Sequence, residues 1–142
     1  MKTKICIIIS CSFVLLLSNQ LMSCKSSSDE TDPVLQMLTS GTWKAASIEM
    51  DAQDKTALFL DFRLTFTPTS FTSENGLGIW PYQGAWSFAD ETKSSINRSD
   101  GATVAITSIT ESELVLSFNW DPAFTGGRIK SVGGDYEFRL TK

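Results

Sequence analysis

Apolar and polar residues alternate through several short runs of this chain, and a spacing of two is the side-chain period of a β-strand, not of a helix. Phe62, Leu64 and Phe66 alternate with Asp61, Arg63, Thr65 and Thr67. Leu114, Leu116, Phe118 and Trp120 alternate with Val115, Ser117 and Asn119, and Tyr136, Phe138 and Leu140 with Glu137, Arg139 and Thr141. Weaker strands fit Thr42 to Met50, Ser70 to Ser73, Gly84 to Ala89, Ser94 to Arg98 and Ala102 to Ile109, the last with Val104 and Ile106 on its buried side. Glu74-Asn75-Gly76 and Ser99-Asp100-Gly101 offer residues that tolerate positive φ, as tight hairpin turns require. Only Asp32-Pro33-Val34-Leu35-Gln36-Met37-Leu38 reads as a helix, with a cap residue, proline at the first position and apolar residues three and four apart. About eight short strands in hairpin succession behind one short N-terminal helix predict an all-β domain. Its form is a compact antiparallel up-and-down barrel or a tightly closed sandwich, and closure hides the edges of such short strands.

The N-terminus carries a different signal. Lys2 and Lys4 precede an apolar run from Ile5 to Leu17, broken only by Ser10, Cys11 and Ser12. That run is shorter than the roughly 20 residues needed to cross a bilayer as a helix, so it reads as the core of a secretory signal. Leu21-Met22-Ser23-Cys24 then resembles the lipobox of bacterial lipoprotein precursors. The resemblance implies cleavage before Cys24, attachment of diacylglycerol to its thiol and acylation of the new amino group. Several acyl chains at about 0.8 kcal/mol per buried methylene anchor a protein firmly without a transmembrane helix. The expected organisation is a signal peptide over residues 1–23, a lipidated cysteine with a Ser-rich, then acidic tether over 24–32, and one domain over 33–142. The expected location is the outer membrane of the cell envelope, facing the periplasm or the cell surface.

Maturation removes Cys6 and Cys11 and consumes Cys24, which accounts for all 3 cysteines of the chain. A thiol nucleophile, a disulfide and a cysteine metal site are thereby excluded from the domain. With 0 histidines, the commonest general base and the commonest zinc ligand are missing too. Loss of Lys2 and Lys4 deepens the excess of 16 acidic over 12 basic residues, so nucleic acid is not an expected partner. Asp51, Asp54, Asp90 and Glu91 read as solvated turn charges. No nucleophile elbow, calcium loop or phosphate-cradling loop stands out, and no enzyme activity and no cofactor are expected. Asn97-Arg98-Ser99 matches a glycosylation acceptor in form only.

Three segments carry a family resemblance: Leu38-Thr39-Ser40-Gly41-Thr42-Trp43-Lys44, Tyr82-Gln83-Gly84-Ala85-Trp86-Ser87-Phe88 and Gly134-Asp135-Tyr136-Glu137-Phe138-Arg139-Leu140. Together they resemble the small lipocalin-like domains of Gram-negative lipoproteins. The resemblance implies an eight-stranded barrel in which Trp43 packs across the base against an arginine from late in the chain, Arg139 or Arg128. It also implies binding of a small hydrophobic ligand. Alternation turns Phe62, Phe66, Trp86, Phe88, Phe118, Tyr136 and Phe138 inward, where they line a cavity or fill it. Trp80 and Tyr82 before one strand, and Trp120 and Phe124 after another, fall where proline stops ladder pairing. They form an aromatic rim for a lipid, a glycan or an envelope protein, or else cap the core. The alternative to a ligand carrier is therefore a non-catalytic module that docks a partner through loop aromatics.

Overall fold

A computed structural model describes residues 32–121 and 132–142 of the chain. Cys24, Phe124, Arg128, the signal segment and all of the tether except Asp32 lie outside the described residues. Asp32 caps helix α1 (Pro33–Thr39), its Oδ1 accepting from the Val34 amide at 3.0 Å, with Pro33 opening the first turn. Nine strands follow among the described residues: β1 (Thr42–Met50), β2 (Gln53–Asp54), β3 (Arg63–Phe66), β4 (Ser70–Glu74), β5 (Gln83–Phe88), β6 (Ser95–Arg98), β7 (Thr103–Ile109), β8 (Glu113–Trp120) and β9 (Gly134–Thr141). A 3₁₀ turn, Thr56–Phe59, precedes β3.

β1 and β3 through β9 pair in chain order, each antiparallel to the next, and β9 returns to pair with β1 from Met50↔Tyr136 to Lys44↔Thr141. The result is a closed, eight-stranded, up-and-down barrel, and the strands expected from alternation are its staves. β2 is an addition that the alternation does not reveal. It hairpins onto β1 through Asp51 and Ala52, both at positive φ, a two-residue turn built without the usual asparagine or glycine. Bulges between Ala45 and Ser47 in β1 and between Ile106 and Ser108 in β7 bend the wall for closure.

The interior is packed with rings. Phe62, Phe66, Trp86, Phe118, Tyr136 and Phe138 are buried as expected, and Phe88 is half-buried. Phe59 from the 3₁₀ turn and Phe71 from β4 join them, in contacts such as Phe62–Phe138 at 5.2 Å and Phe59–Phe138 at 5.3 Å between centroids. Most meet edge to face, the arrangement that the ring quadrupole favours.

α1 closes one end, here called the helix end, where Leu38 is fully buried and Trp43 donates its indole N–H to the Leu38 carbonyl at 3.0 Å. The cation over the Trp43 ring is Lys142, 4.3 Å from the centroid and hydrogen-bonded to Ser40 Oγ. This corrects the expectation for Arg139, which lies on the outer wall and pairs with Glu137 at 2.7 Å. In β9 the interior takes Phe138 and Leu140, so the residue between them must face out.

Candidate functional site at the far end of the barrel

The connections β1–β3, β4–β5 and β6–β7 lie at the end opposite α1, as does the end of β8 at Trp120, because the barrel runs up and down. Trp80 and Tyr82 therefore share one end with Trp120. Their side chains do not share one fate, however. Trp80 is 1% exposed and Trp120 8%, whereas Tyr82 is 73% exposed. An exposed rim containing Trp80 and Trp120 is thus not what forms, and Phe124 lies outside the described residues.

Trp80 is inside because the β4–β5 connection is not the tight hairpin that Glu74-Asn75-Gly76 suggested. It runs from Asn75 to Tyr82, with Asn75, Leu77 and Gly78 at positive φ, and folds back so that both Ile79 and Trp80 donate backbone N–H groups to the Gly76 carbonyl. Gly76 is required by space: a Cβ there would sit 2.1 Å from the Trp80 carbonyl oxygen. The connection delivers Ile79 and Trp80 into the mouth as a plug, and Ser73 Oγ secures it by donating to the Pro81 carbonyl at 2.8 Å. Trp80 meets Phe118 at 5.7 Å, Phe71 at 5.8 Å and Phe138 at 6.0 Å.

Arg98, at the end of β6, the strand next to β5, holds the plug from the adjoining wall. Its side chain is buried, and its Nη2 donates to the Ile79 carbonyl at 3.0 Å and to Asp100 Oδ2, while Nε donates to Asp100 Oδ1 at 3.1 Å. The guanidinium carbon lies 4.5 Å from the Trp80 ring, 5.5 Å from Trp120 and 5.6 Å from Phe118. A buried cation here is stabilised by a bidentate carboxylate and by aromatic faces. Arg98 Nη1 and Trp80 Nε1 have no acceptor among the described residues. Asp100 itself sits in the β6–β7 turn, where Gly101 takes the left-handed conformation expected of it.

The outer surface of this end has another character. Among the described residues, the exposed large apolar side chains are Leu58, Leu60, Leu77 and Tyr82, all on the β2–β3 and β4–β5 connections. Asn75 Nδ2 ties the two connections together by donating to the Asp61 carbonyl at 3.3 Å. Carboxylates border them: Asp51, Asp54, Asp61 and Glu74 are all exposed. The Thr56 hydroxyl, and then its amide, hold the Asp54 carboxyl below the usual carboxylate range. An open hollow of about 270 Å³ beside Leu60 is bounded by Lys44, Thr56, Asp61 and Arg63. A second, of about 260 Å³, lies between Asp100, Thr103, Asn119 and Trp120. Tyr136, deeper in the same end, donates to the Val132 carbonyl at 2.8 Å; burial first, and the Asp51 charge second, push its hydroxyl above its ordinary pKa.

The buried Arg98 was missed in the sequence, although alternation marks it. Ile96 and Arg98 share the inward phase of β6, with Asn97 between them facing out. A charge on the inward phase, with an aspartate two residues later in a turn, was the available signal. No known family profile matches the chain, and no curated protein is significantly similar to it.

Proposed function

We propose that this chain is a lipid-anchored, non-catalytic binding module that works through the outer surface of its far end. The observation that carries the reading is a division of apolar residues. The strands keep their rings inside, while among the described residues the exposed large apolar side chains lie on two tied connections. An apolar group of that kind on a small domain is what an interaction surface requires. The lipocalin-like resemblance supplies the fold, and the packed interior turns the reading away from a ligand carried inside it.

The anchor rests on the lipobox-like Leu21-Met22-Ser23-Cys24. The chain enters the barrel at the helix end, through Asp32.

Photo-crosslinking in intact cells tests this, with the reactive group at position 58 or 77, or at Gln36 and Asn97 as controls at the helix end and on the wall. Discrete adducts from 58 and 77 alone are expected, and they should weaken when Cys24→Ala removes the lipidation site. Equal labelling from all four positions would defeat the reading.

A further inference from the structure

We infer that the outer wall of β1, β3 and β4, up to Tyr82, is a binding site for a neutral glycan; Leu60 and Tyr82 belong also to the far-end surface, so the inference rests on the reading above and names a ligand for its flank. The register sets two rows of outward side chains across these strands. Thr42, Thr65, Thr72 and Gln83 stand opposite one another in the first, and Lys44, Arg63 and Glu74 in the second. Neighbouring strands are about 4.8 Å apart, so the first row spans roughly 14 Å. Neither row contains an apolar side chain. Two open hollows lie along them. One, of about 200 Å³, is bounded by Thr42, Thr65, Thr72, Glu74 and Tyr82. The other is the hollow of about 270 Å³ beside Leu60, with Lys44 and Asp61 on its border. Arg63 borders both, so the two adjoin.

The charges along the hollows balance, Lys44 and Arg63 against Asp61 and Glu74, yet they hardly neutralise one another. Lys44 and Arg63 face each other in register, a like-charged cross-strand pair that costs some stability. Arg63 reaches Glu74 only at 3.9 Å, and Lys44 and Asp61 form no ion pair among the described residues. That mixture selects among possible occupants. A polyanion, whether nucleic acid or an anionic lipid surface, would meet Asp61 and Glu74 as well as the two cations. A protein face needs an apolar centre, which neither row supplies. Sugar hydroxyls both donate and accept, so one ring can accept from ammonium and guanidinium, donate to carboxylates and share bonds with the threonines. The Thr42 and Thr65 hydroxyls, joined at 2.9 Å, keep one O–H and further lone pairs for such a ligand. A sugar's flat C–H face matches the exposed ring of Tyr82, an apolar body with a wet hydroxyl. Each hollow is large enough for one ring, and two that adjoin take consecutive residues of a glycan.

The test uses the full-length protein reconstituted in fluorescent phosphatidylcholine vesicles, whose many copies strengthen weak contacts. The vesicles, with protein-free ones as blanks, are applied to an array of neutral hexose and N-acetylhexosamine oligosaccharides that also carries uronic acid and sulfated chains. Binding to neutral chains is expected; it should fall about ten-fold in Tyr82→Ala and in Arg63→Met, and persist in Tyr82→Phe and in the wall control Asn97→Ala. All four substitutions are at exposed sites, and an unchanged urea midpoint checks the fold. Binding should also persist near 0.5 M salt, where the screening length drops to roughly 4 Å. Binding to acidic chains alone, or neutral binding that withstands both Tyr82→Ala and Arg63→Met, would overturn the inference. Binding to no chain would overturn it as well, leaving the far-end reading intact if positions 58 and 77 still give adducts and removing that reading too if they do not.

Discussion

Asp100 and Arg98 share one ion pair unequally, since the Arg98 side chain is fully enclosed and that of Asp100 is 25% exposed. Removing the carboxylate strands a cation among Trp80, Phe118 and Trp120, whereas removing the cation leaves a carboxylate that water can reach. Asp100→Ala should therefore destabilise by about 3 kcal/mol. Arg98→Met should cost only about 1–2 kcal/mol, chiefly for the unpaired Ile79 carbonyl. Urea titration followed by tryptophan fluorescence distinguishes them, and a larger loss for Arg98→Met would refute the argument. At this scale the sequence was legible wherever period two applied. It placed Phe62, Phe118 and Phe138 inside, and it would have placed Arg98 inside and Arg139 outside had alternation been given precedence over the resemblance. Lys142 over Trp43 was not legible, because a terminal residue beyond the last strand has no phase to read.

Among the elements, the β4–β5 connection and α1 each have a contact that a single substitution can test. Gly76→Ala drives a methyl into the Trp80 carbonyl, and the plug must move to admit it; a loss above about 2 kcal/mol is expected, with a changed near-ultraviolet signal from Trp80. A stability equal to that of the parent would show that the plug is not held as described. α1 is secured by an ion pair between Asp32, at its cap, and Lys93 in the β5–β6 turn. Partial desolvation works to raise the Asp32 pKa, but the Lys93 ammonium and the Leu35 and Val34 amides outweigh it and hold the carboxyl below its ordinary value. A carboxyl depressed in the folded state stabilises above its unfolded pKa of about 3.9, and that contribution is lost as the pH falls through the lower folded value. Lowering the pH below about 4 should loosen α1 from the helix end, seen as a change at Trp43. In Lys93→Met the stability lost between neutral pH and that range should be smaller, and an identical acid profile would rule the pair out. Helix and strand positions were legible here because caps and alternation are local. The inward fold of Ile79 and Trp80 was not, because it depends on a carbonyl–glycine approach that no spacing encodes.

For the molecule as a whole, closure was legible and its interior state was not. Short alternating strands argue for a barrel, but whether rings fill it depends on which loops turn inward, and Phe59 and Trp80 both arrive from connections. One ring-filled core joining both ends predicts cooperative unfolding: fluorescence from Trp43 at the helix end and Trp120 at the far end, in variants retaining only one of them, should give coincident urea transitions. Separate midpoints would divide the barrel into two units. The seam between β1 and β9 has a further consequence in time. β9, Gly134–Thr141, follows the other seven staves along the chain, yet it is the neighbour of both β1 and β8. Until β9 has been made, β1 and β8 each hold an open edge, and no earlier intermediate can be a closed barrel. Synthesis from one end thus leaves two edges in need of protection from their neighbours until the stave that joins them arrives.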